Sequence, residues 1–242
     1  MNLTSKPTGP TKHIEDNMNI KVVTTYNNKL YQQYAYRFFE TYNWPFEVIS
    51  YNEDNNFFEL VPECKSFIDR NKHRTFSGFK WDGVRFCYKV YAYTHAILNT
   101  NADGLICMDA DSVFYKPIDE DFVTKHLHKQ DCMMTYLGRV HQYTECGFLY
   151  FNLQHPSTKD YATQAQNFYN TDELYNLNEY HDCEVWDTVR KKLENNQGVQ
   201  NINLTPNFPA GHAQAASILG KYYDHCKGAR KIQGKSPENN QI

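Results

Sequence analysis

The sequence predicts an α/β fold, one domain built on a mixed, mostly parallel central sheet flanked by helices. Three observations point there. The β-branched run Ile20-Lys21-Val22-Val23-Thr24-Thr25-Tyr26, a helical stripe of Leu30, Tyr34, Phe38 and Tyr42, and the extended segment Phe46 to Ser50 form a strand–helix–strand opening. Leu105-Ile106-Cys107-Met108 is an unbroken apolar run after the Asp103-Gly104 turn, too short for a helix and suited to a strand buried on both faces. That run leads straight into Asp109-Ala110-Asp111, and open α/β sheets bind ligands beyond the carboxyl ends of their strands.

At 242 residues the chain can bury a sizeable core, with the domain expected over residues 19–232. Residues 1–18 carry Pro, Thr, Lys and Asn without periodicity and are expected to form a mobile arm, with 233–242 a flexible polar tail. Asn27 and Asn28 follow the first strand as turn or cap residues, and Trp44-Pro45 stops the first helix. Residues 51–80 read as an irregular loop holding Pro62 and the basic cluster Arg70, Lys72, His73, Arg74 and Lys80. Trp81-Asp82-Gly83 then caps a helix whose stripe is Val84, Cys87, Tyr88, Tyr91, His95 and Leu98, with His95 a structural histidine. On its other side Arg85 and Lys89, four apart, present two cations. Past Lys116-Pro117 come an acidic helical segment, a strand at Cys132 to Tyr136, and the aromatic-rich strand Glu145 to Asn152. Ser157 and Asp160 start a helix as a capping box, a second helix begins near Tyr180 to Asp187, and residues 199–204 alternate like a strand. Three acids and a His in the second helix's first turn suit its dipole, so Asp182 can serve simply as an N-cap.

The totals narrow the class of function. A net charge of −3 and a pI near 6.4 lack the basic footprint of a nucleic-acid binder. No stretch approaches the ~20 apolar residues of a membrane span, and Met1 to Asn17 has no apolar core for a signal peptide. Seven cysteines, odd in number and without Cys-x-x-Cys spacing, suit a reduced compartment, so a soluble, cytoplasmic protein is expected. The Asn-x-Thr matches at Asn2 and Asn203 are then chance. The 19 Tyr and 15 Phe lean slightly towards carbohydrate, whose faces stack on rings, although rings also fill cores.

Asp109 and Asp111 alternate in extended chain and so point the same way, able to close on one cation. Hard oxygen donors of this kind suit Mg²⁺ or Mn²⁺, which keep water and phosphate as further ligands. The other reading is a solvated turn at a strand end.

The strand ending in Asp109-Ala110-Asp111 resembles that of nucleotide-sugar glycosyltransferases of the GT-A fold, a Rossmann-like α/β architecture. His225-Cys226-Lys227-Gly228-Ala229-Arg230-Lys231 fits His-x-x-Gly-x-x-Lys, which is similar to the C-terminal signature of the family-8, retaining branch. The resemblance implies that Asp109, Asp111 and His225 hold Mn²⁺ or Mg²⁺. The nucleoside diphosphate of a donor, most simply a UDP-sugar, would lie against Asp109, Ala110, Gly228 and Lys231. By the same resemblance Thr24, Thr25 and Tyr26 lie near the base, and Arg85 and Lys89 reach the donor sugar or diphosphate. Gly147 contacts the donor, and Asp182, then Glu145, are the candidate catalytic carboxylates at the sugar. The implied activity is a hexosyltransferase that retains anomeric configuration, with an unidentified acceptor. Two departures stand out: Glu145-Cys146-Gly147 replaces the family's Asn-Ala-Gly or Asn-Ser-Gly, and Ile232-Gln233 replaces its trailing Pro-Trp. A sugar-phosphate nucleotidyltransferase shares the metal logic but carries a Gly-rich loop after the first strand, and Thr24 to Leu30 has no glycine. A degenerate carbohydrate- or nucleotide-binding relative is the non-enzyme alternative.

Overall fold

The computed structural model describes residues 18–209 and 211–239. Its strands are β1 (Ile20–Tyr26), β2 (Glu47–Asn52), β3 (Gly104–Met108), β4 (Ser112–Phe114), β5 (Cys132–Tyr136), β6 (Phe148–Asn152), β7 (Gln200–Asn203) and β8 (Tyr223–His225). The helices are α1 (Asn28–Leu30), α2 (Tyr36–Thr41), α3 (Phe57–Leu60), α4 (Pro62–Asn71), α5 (Gly83–Asn99), α6 (Glu120–His126), α7 (Thr158–Asn170), α8 (Asp182–Gln197), α9 (Ala213–Ala216) and α10 (Arg230–Gln233). Six strands make the main sheet in the order β2-β1-β3-β6-β5-β7, and β4 with β8 forms a separate two-stranded sheet. β1 is parallel to both β2 and β3, and β5 to β7, whereas β6 runs antiparallel to its neighbours β3 and β5. The mixed, mostly parallel sheet is therefore as expected.

Alternation across the sheet sorts the core into two layers. From β3 and β6, Leu105, Cys107, Leu149 and Phe151 pack with residues of α4, α5, α7 and α8. Ile106, Met108, Phe148 and Tyr150 face the other way, against residues that include Phe38, Phe114, Phe122 and Tyr223. All five residues of β3 are buried, which is why its sequence is apolar throughout.

Four local expectations are revised. Residues 51–80 are not an irregular loop, because α4 buries Cys64, Phe67 and Asn71 at helical spacing with Pro62 in its first turn. Ser157 makes no capping bond, its backbone already being helical. The first helix is interrupted by a π-helical turn at Tyr31–Ala35, which leaves Phe38 buried while Tyr34 faces outward to a cavity. Of the expected tail, residues 233–239 are described, and they pack: the Ser236 N–H donates to the buried Asp224 carboxylate, and Asn239 is buried. A carboxylate buried as deeply as Asp224 requires such donors. Of the expected arm, 1–17 lie outside the described residues, as do 240–242, while the Met18 N–H donates to Glu120 (2.6 Å). Two other local expectations hold, Asp82 capping α5 through the Arg85 N–H and His95 joining the Tyr51 hydroxyl at 2.7 Å.

Phe151 is fully buried against the rings of Tyr161 and Trp186. Phe151→Ala is expected to cost ~3–5 kcal/mol. In urea this should lower the unfolding midpoint and leave the slope unchanged.

Candidate functional site

The site begins where β3 runs out. The Asp109 N–H donates to the Gly147 carbonyl (3.3 Å), which ties the end of β3 to the residue before β6. The chain then turns, with the Ser112 hydroxyl donating to the Asp109 carbonyl (2.9 Å), and enters β4. β4 pairs antiparallel with β8 so that Ser112 lies opposite His225, and the Cys226 N–H donates to the Asp111 carbonyl (3.0 Å). This pairing, absent from the sequence reading, delivers a histidine from near the chain's end to the two aspartates. His225 Nε2 stands 3.2 Å from Asp111 Oδ1 and 3.4 Å from Asp109 Oδ2.

Behind the imidazole lies Glu145. Its Oε1 accepts from His225 Nδ1 (3.1 Å), which leaves Nε2 aimed at the aspartates. Its Oε2 accepts from the Ala213 N–H and lies 2.8 Å from Lys227 Nζ. His212 donates to the His225 carbonyl (2.7 Å) and completes the support. Gly147 is glycine for a steric reason, since a Cβ there would occupy the His225 ring.

Two lysines neutralise the front. Lys89 Nζ sits 2.6 Å from Asp109 Oδ1 and 2.8 Å from Asp182 Oδ2, and donates to the Cys146 carbonyl (2.7 Å). Lys231 Nζ is 2.7 Å from Asp111 Oδ2 and lies over the Tyr34 ring at 4.9 Å. Burial alone would raise the Asp109 and Asp111 carboxyls. Lys89 and His225 hold Asp109 below the ordinary carboxylate range, and His225 and Lys231 do the same for Asp111. Burial conversely disfavours the His225 imidazolium, but Asp111, Asp109 and Glu145 raise its pKa well above the ordinary value.

One oxygen and one nitrogen chemistry therefore converge. A ligand atom from each of Asp109, Asp111 and His225 lies within 4.8 Å of the others, and Asp111 Oδ1 is buried without a hydrogen-bond donor. Two carboxylates and an imidazole held by a carboxylate behind it form a donor set that fits Mn²⁺ or Mg²⁺.

The cluster opens on a cavity of about 1560 Å³. Asp109, Ala110, Asp111, Lys89, Arg85, Asp182, Gly228, Lys231 and Thr25 all line it. Thr24 is fully buried, and the Tyr26 ring packs on Tyr31 and Phe39, so neither of these expected base contacts reaches the cavity. Alternation along β1 explains why only Thr25 of the three does. Glu145 is also turned away from the cavity, towards His225 and His212. Asp182 is the first residue of α8, the N-cap position being His181, and its carboxylate is engaged by Lys89 instead of capping. Gly228 takes a left-handed φ of 58°, which favours glycine at this turn.

Sequence reasoning missed Tyr34, Glu53 and Lys227, which also line the cavity. Glu53 follows the end of β2 and is held by Thr25 (3.3 Å) and Asn27 (3.0 Å), so the strand-end argument applied to Asp109 would have found it. Tyr34 was hidden in an apparently regular stripe by the π-helical turn.

No family model matches the chain, and no curated protein matches it. Solved structures with a similar arrangement include the glycosyltransferase GlyE of Streptococcus pneumoniae TIGR4, at 12% identity and a TM-score of 0.45, covering 76% of this chain and 45% of that one. Mouse xyloside xylosyltransferase 1 is similar at 10% identity and a TM-score of 0.45, over 76% and 84% of the two chains. A glycosyltransferase involved in the glycosylation of the major capsid of PBCV-1 is similar at 9% identity and a TM-score of 0.46, over 89% and 98%. The chain thus spans less than half the length of GlyE. No helix among the described residues is long and apolar enough to cross a membrane.

The Gly147–His225 contact yields a direct test. If His225 and the two aspartates hold Mn²⁺, Gly147→Ala should weaken that binding by about tenfold or more while leaving the far-ultraviolet circular dichroism unchanged, because the imidazole must shift. Calorimetric titration with Mn²⁺ measures the effect.

Proposed function

We propose that the chain is a divalent-cation-dependent glycosyltransferase of the GT-A type, moving a hexose from a nucleoside diphosphate sugar to an acceptor hydroxyl with retention of configuration. The observation that carries this reading is the convergence of His225 on Asp109 and Asp111, two acids that line the cavity with Lys89 and Lys231 beside them. The resemblance of Asp109–Asp111 and His225–Lys231 to family-8 segments supports it, and a UDP-sugar is the proposed donor.

Asp109, Asp111 and His225 would hold Mn²⁺ or Mg²⁺, which when bound supplies positive charge where the leaving diphosphate becomes more negative. Lys231 stands next to that position, and Gly228 lets backbone approach phosphate oxygens. Arg85 adds a cation at the cavity wall. Thr25 and Glu53, which also line the cavity, are proposed to border the nucleoside. Asp182 is the carboxylate proposed to meet the donor sugar, with Lys89 fixing one of its oxygens. Glu145 is proposed to position His225 and not to touch the sugar, because its oxygens are spent on His225, Ala213 and Lys227.

Uridine diphosphate should raise the melting temperature only when Mn²⁺ or Mg²⁺ is present. Ligand at a hundredfold excess over its dissociation constant adds ~2.7 kcal/mol to stability. Equal shifts with and without EDTA across a panel of nucleoside diphosphates would remove the metal from the reading. Asp111→Asn keeps the shape and loses the charge, so turnover of a UDP-sugar should drop by about 10²-fold with the fold intact. Chelator-sensitive turnover in the parent protein separates an enzyme from a binding protein of the same architecture.

Stereochemistry supplies an independent check. A retaining enzyme works with the acceptor on the face of the leaving group or through a nucleophile beneath the anomeric carbon. The anomeric proton coupling of the product, read by NMR before mutarotation, should match that of the donor. A β-linked product from an α-linked donor would overturn both the family-8 likeness and the place given to Asp182.

A further inference from the structure

All seven cysteines are among the described residues, and Cys183 is the most exposed of them, the other six being buried and Cys132 keeping 8% exposure. It is the second residue of α8 and lines the same cavity as Lys89 and Asp182. Its sulfur, that of Cys146 and an Asp182 oxygen all lie within 4.8 Å of one another. Cys146 is buried, donates to the Thr144 carbonyl (3.4 Å), and has no wall of its own on the cavity. We propose that Cys183 is a modification site, a thiol reactive to peroxides and soft electrophiles, and that Cys146 is its resolving partner.

The surroundings differ at the two sulfurs. The α8 N-terminus and His181 favour a thiolate at Cys183, Lys89 favours one on either sulfur, and Asp182, whose carboxylate accepts from the Cys183 thiol (3.7 Å), opposes it on both. Contact with Cys146 lowers the Cys183 thiol most, to about 7, whereas burial pushes the Cys146 thiol up. Cys64 and Cys87 supply an internal contrast. Their sulfurs are 3.6 Å apart, yet both are fully buried, neither lines the cavity, and burial raises the Cys87 thiol. Proximity of sulfurs is common to both pairs, while access to the cavity belongs to Cys183 alone of the four.

With hydrogen peroxide as oxidant, the Cys183 thiolate attacks one oxygen. An S–O bond forms, the O–O bond breaks, and the leaving hydroxide takes a proton to become water. Cysteine is oxidised by two electrons to the sulfenic acid, and peroxide is reduced. The Cys146 sulfur then attacks the Cys183 sulfur, forming S–S and breaking S–O, and the released hydroxide leaves as water with the Cys146 proton. Closing the sulfurs to a bond of ~2.05 Å draws the start of α8 towards Cys146, whose carbonyl accepts from Lys89. Asp182 and Lys89 therefore move with it.

The test uses the full chain and reads mass, so it stands whether or not the glycosyltransferase reading does. Iodoacetamide on the native reduced protein, followed by peptide mapping, should label Cys183 about tenfold or more faster than any other cysteine. Peroxide should give a Cys146–Cys183 disulfide that dithiothreitol reverses. In Cys146→Ser the reaction should stop at a sulfenic acid on Cys183, trapped by dimedone, and in Cys183→Ser peroxide should leave Cys146 unmodified. Labelling of Cys183 no faster than the rest, or a Cys64–Cys87 disulfide forming as readily, overturns the proposal. The wild-type labelling decides it even if either variant fails to fold.

Discussion

Four carboxylates gathered in one cluster, three of them lining the cavity and Glu145 behind them, are the constraint to which the rest of this structure answers. Asp111, Glu145 and Asp182 are almost completely buried, and Asp109 is half-buried beside them. Removing such charges from water costs several kcal/mol each unless partners meet them. Lys89 spans Asp109 and Asp182, Lys231 meets Asp111, Lys227 meets Glu145, and His225 sits between three of the four. Each cation comes from a segment remote from its acid, so the cluster also pins α5, the start of α8 and the chain's last segment to the end of β3. Removing one member leaves its partner buried and unpaired, which makes the network a common fate for these elements.

The sheet makes that cluster possible by reversing one strand. β6 runs against β3, so the Glu145-Cys146-Gly147 triplet that leads into it lies beside the end of β3 instead of at the opposite edge. Had β6 been parallel, the triplet would sit a strand's length away from Asp109. The small β4–β8 sheet adds the third side by pairing the residue after Asp111 with His225. Apolar packing on both faces of β3 then supplies the rigidity that a ligand set needs.

Much of this was legible because the signals were local. The apolar run of β3, the strand–helix–strand opening and the Asp82 cap each follow from residues within a few positions of one another. Asp109, Asp111 and Lys89 stood out by spacing, as a strand-end pair and a helix cation, whereas Asp182 and Lys231 were singled out by the family resemblance, and the fold brings all five to one cavity. What escaped was long-range or irregular. Nothing near Tyr223 signals a strand, because three residues gain a partner only from β4. The π-helical turn at Tyr31–Ala35 breaks a stripe that looks regular, and so conceals Tyr34. In α4 the acids and Pro62 masked a short buried face of Cys64, Phe67 and Asn71. Alternation along β1 puts Thr24 and Tyr26 on one face and Thr25 on the other, and the cavity lies on the Thr25 side.

Glu145 shows how an unusual residue acquires meaning from its surroundings. By the family resemblance, an acid at the head of the Glu145-Cys146-Gly147 triplet stands where a group for sugar hydroxyls is expected. In the folded chain its neighbour Gly147 has no side chain, so the His225 ring settles there, and Glu145 is the carboxylate within reach of Nδ1. Lys227, two residues beyond His225, balances its charge, and His212 donates to the His225 backbone carbonyl. The acid, the glycine, both histidines and the lysine thus form one supporting unit for a single imidazole. An amide at position 145 could accept from Nδ1 but would leave Lys227 without its counter-charge, so the Glu and the Lys belong together. The carboxylate left bordering the cavity beside Lys89 is Asp182, and the chemistry proposed for the sugar falls to it.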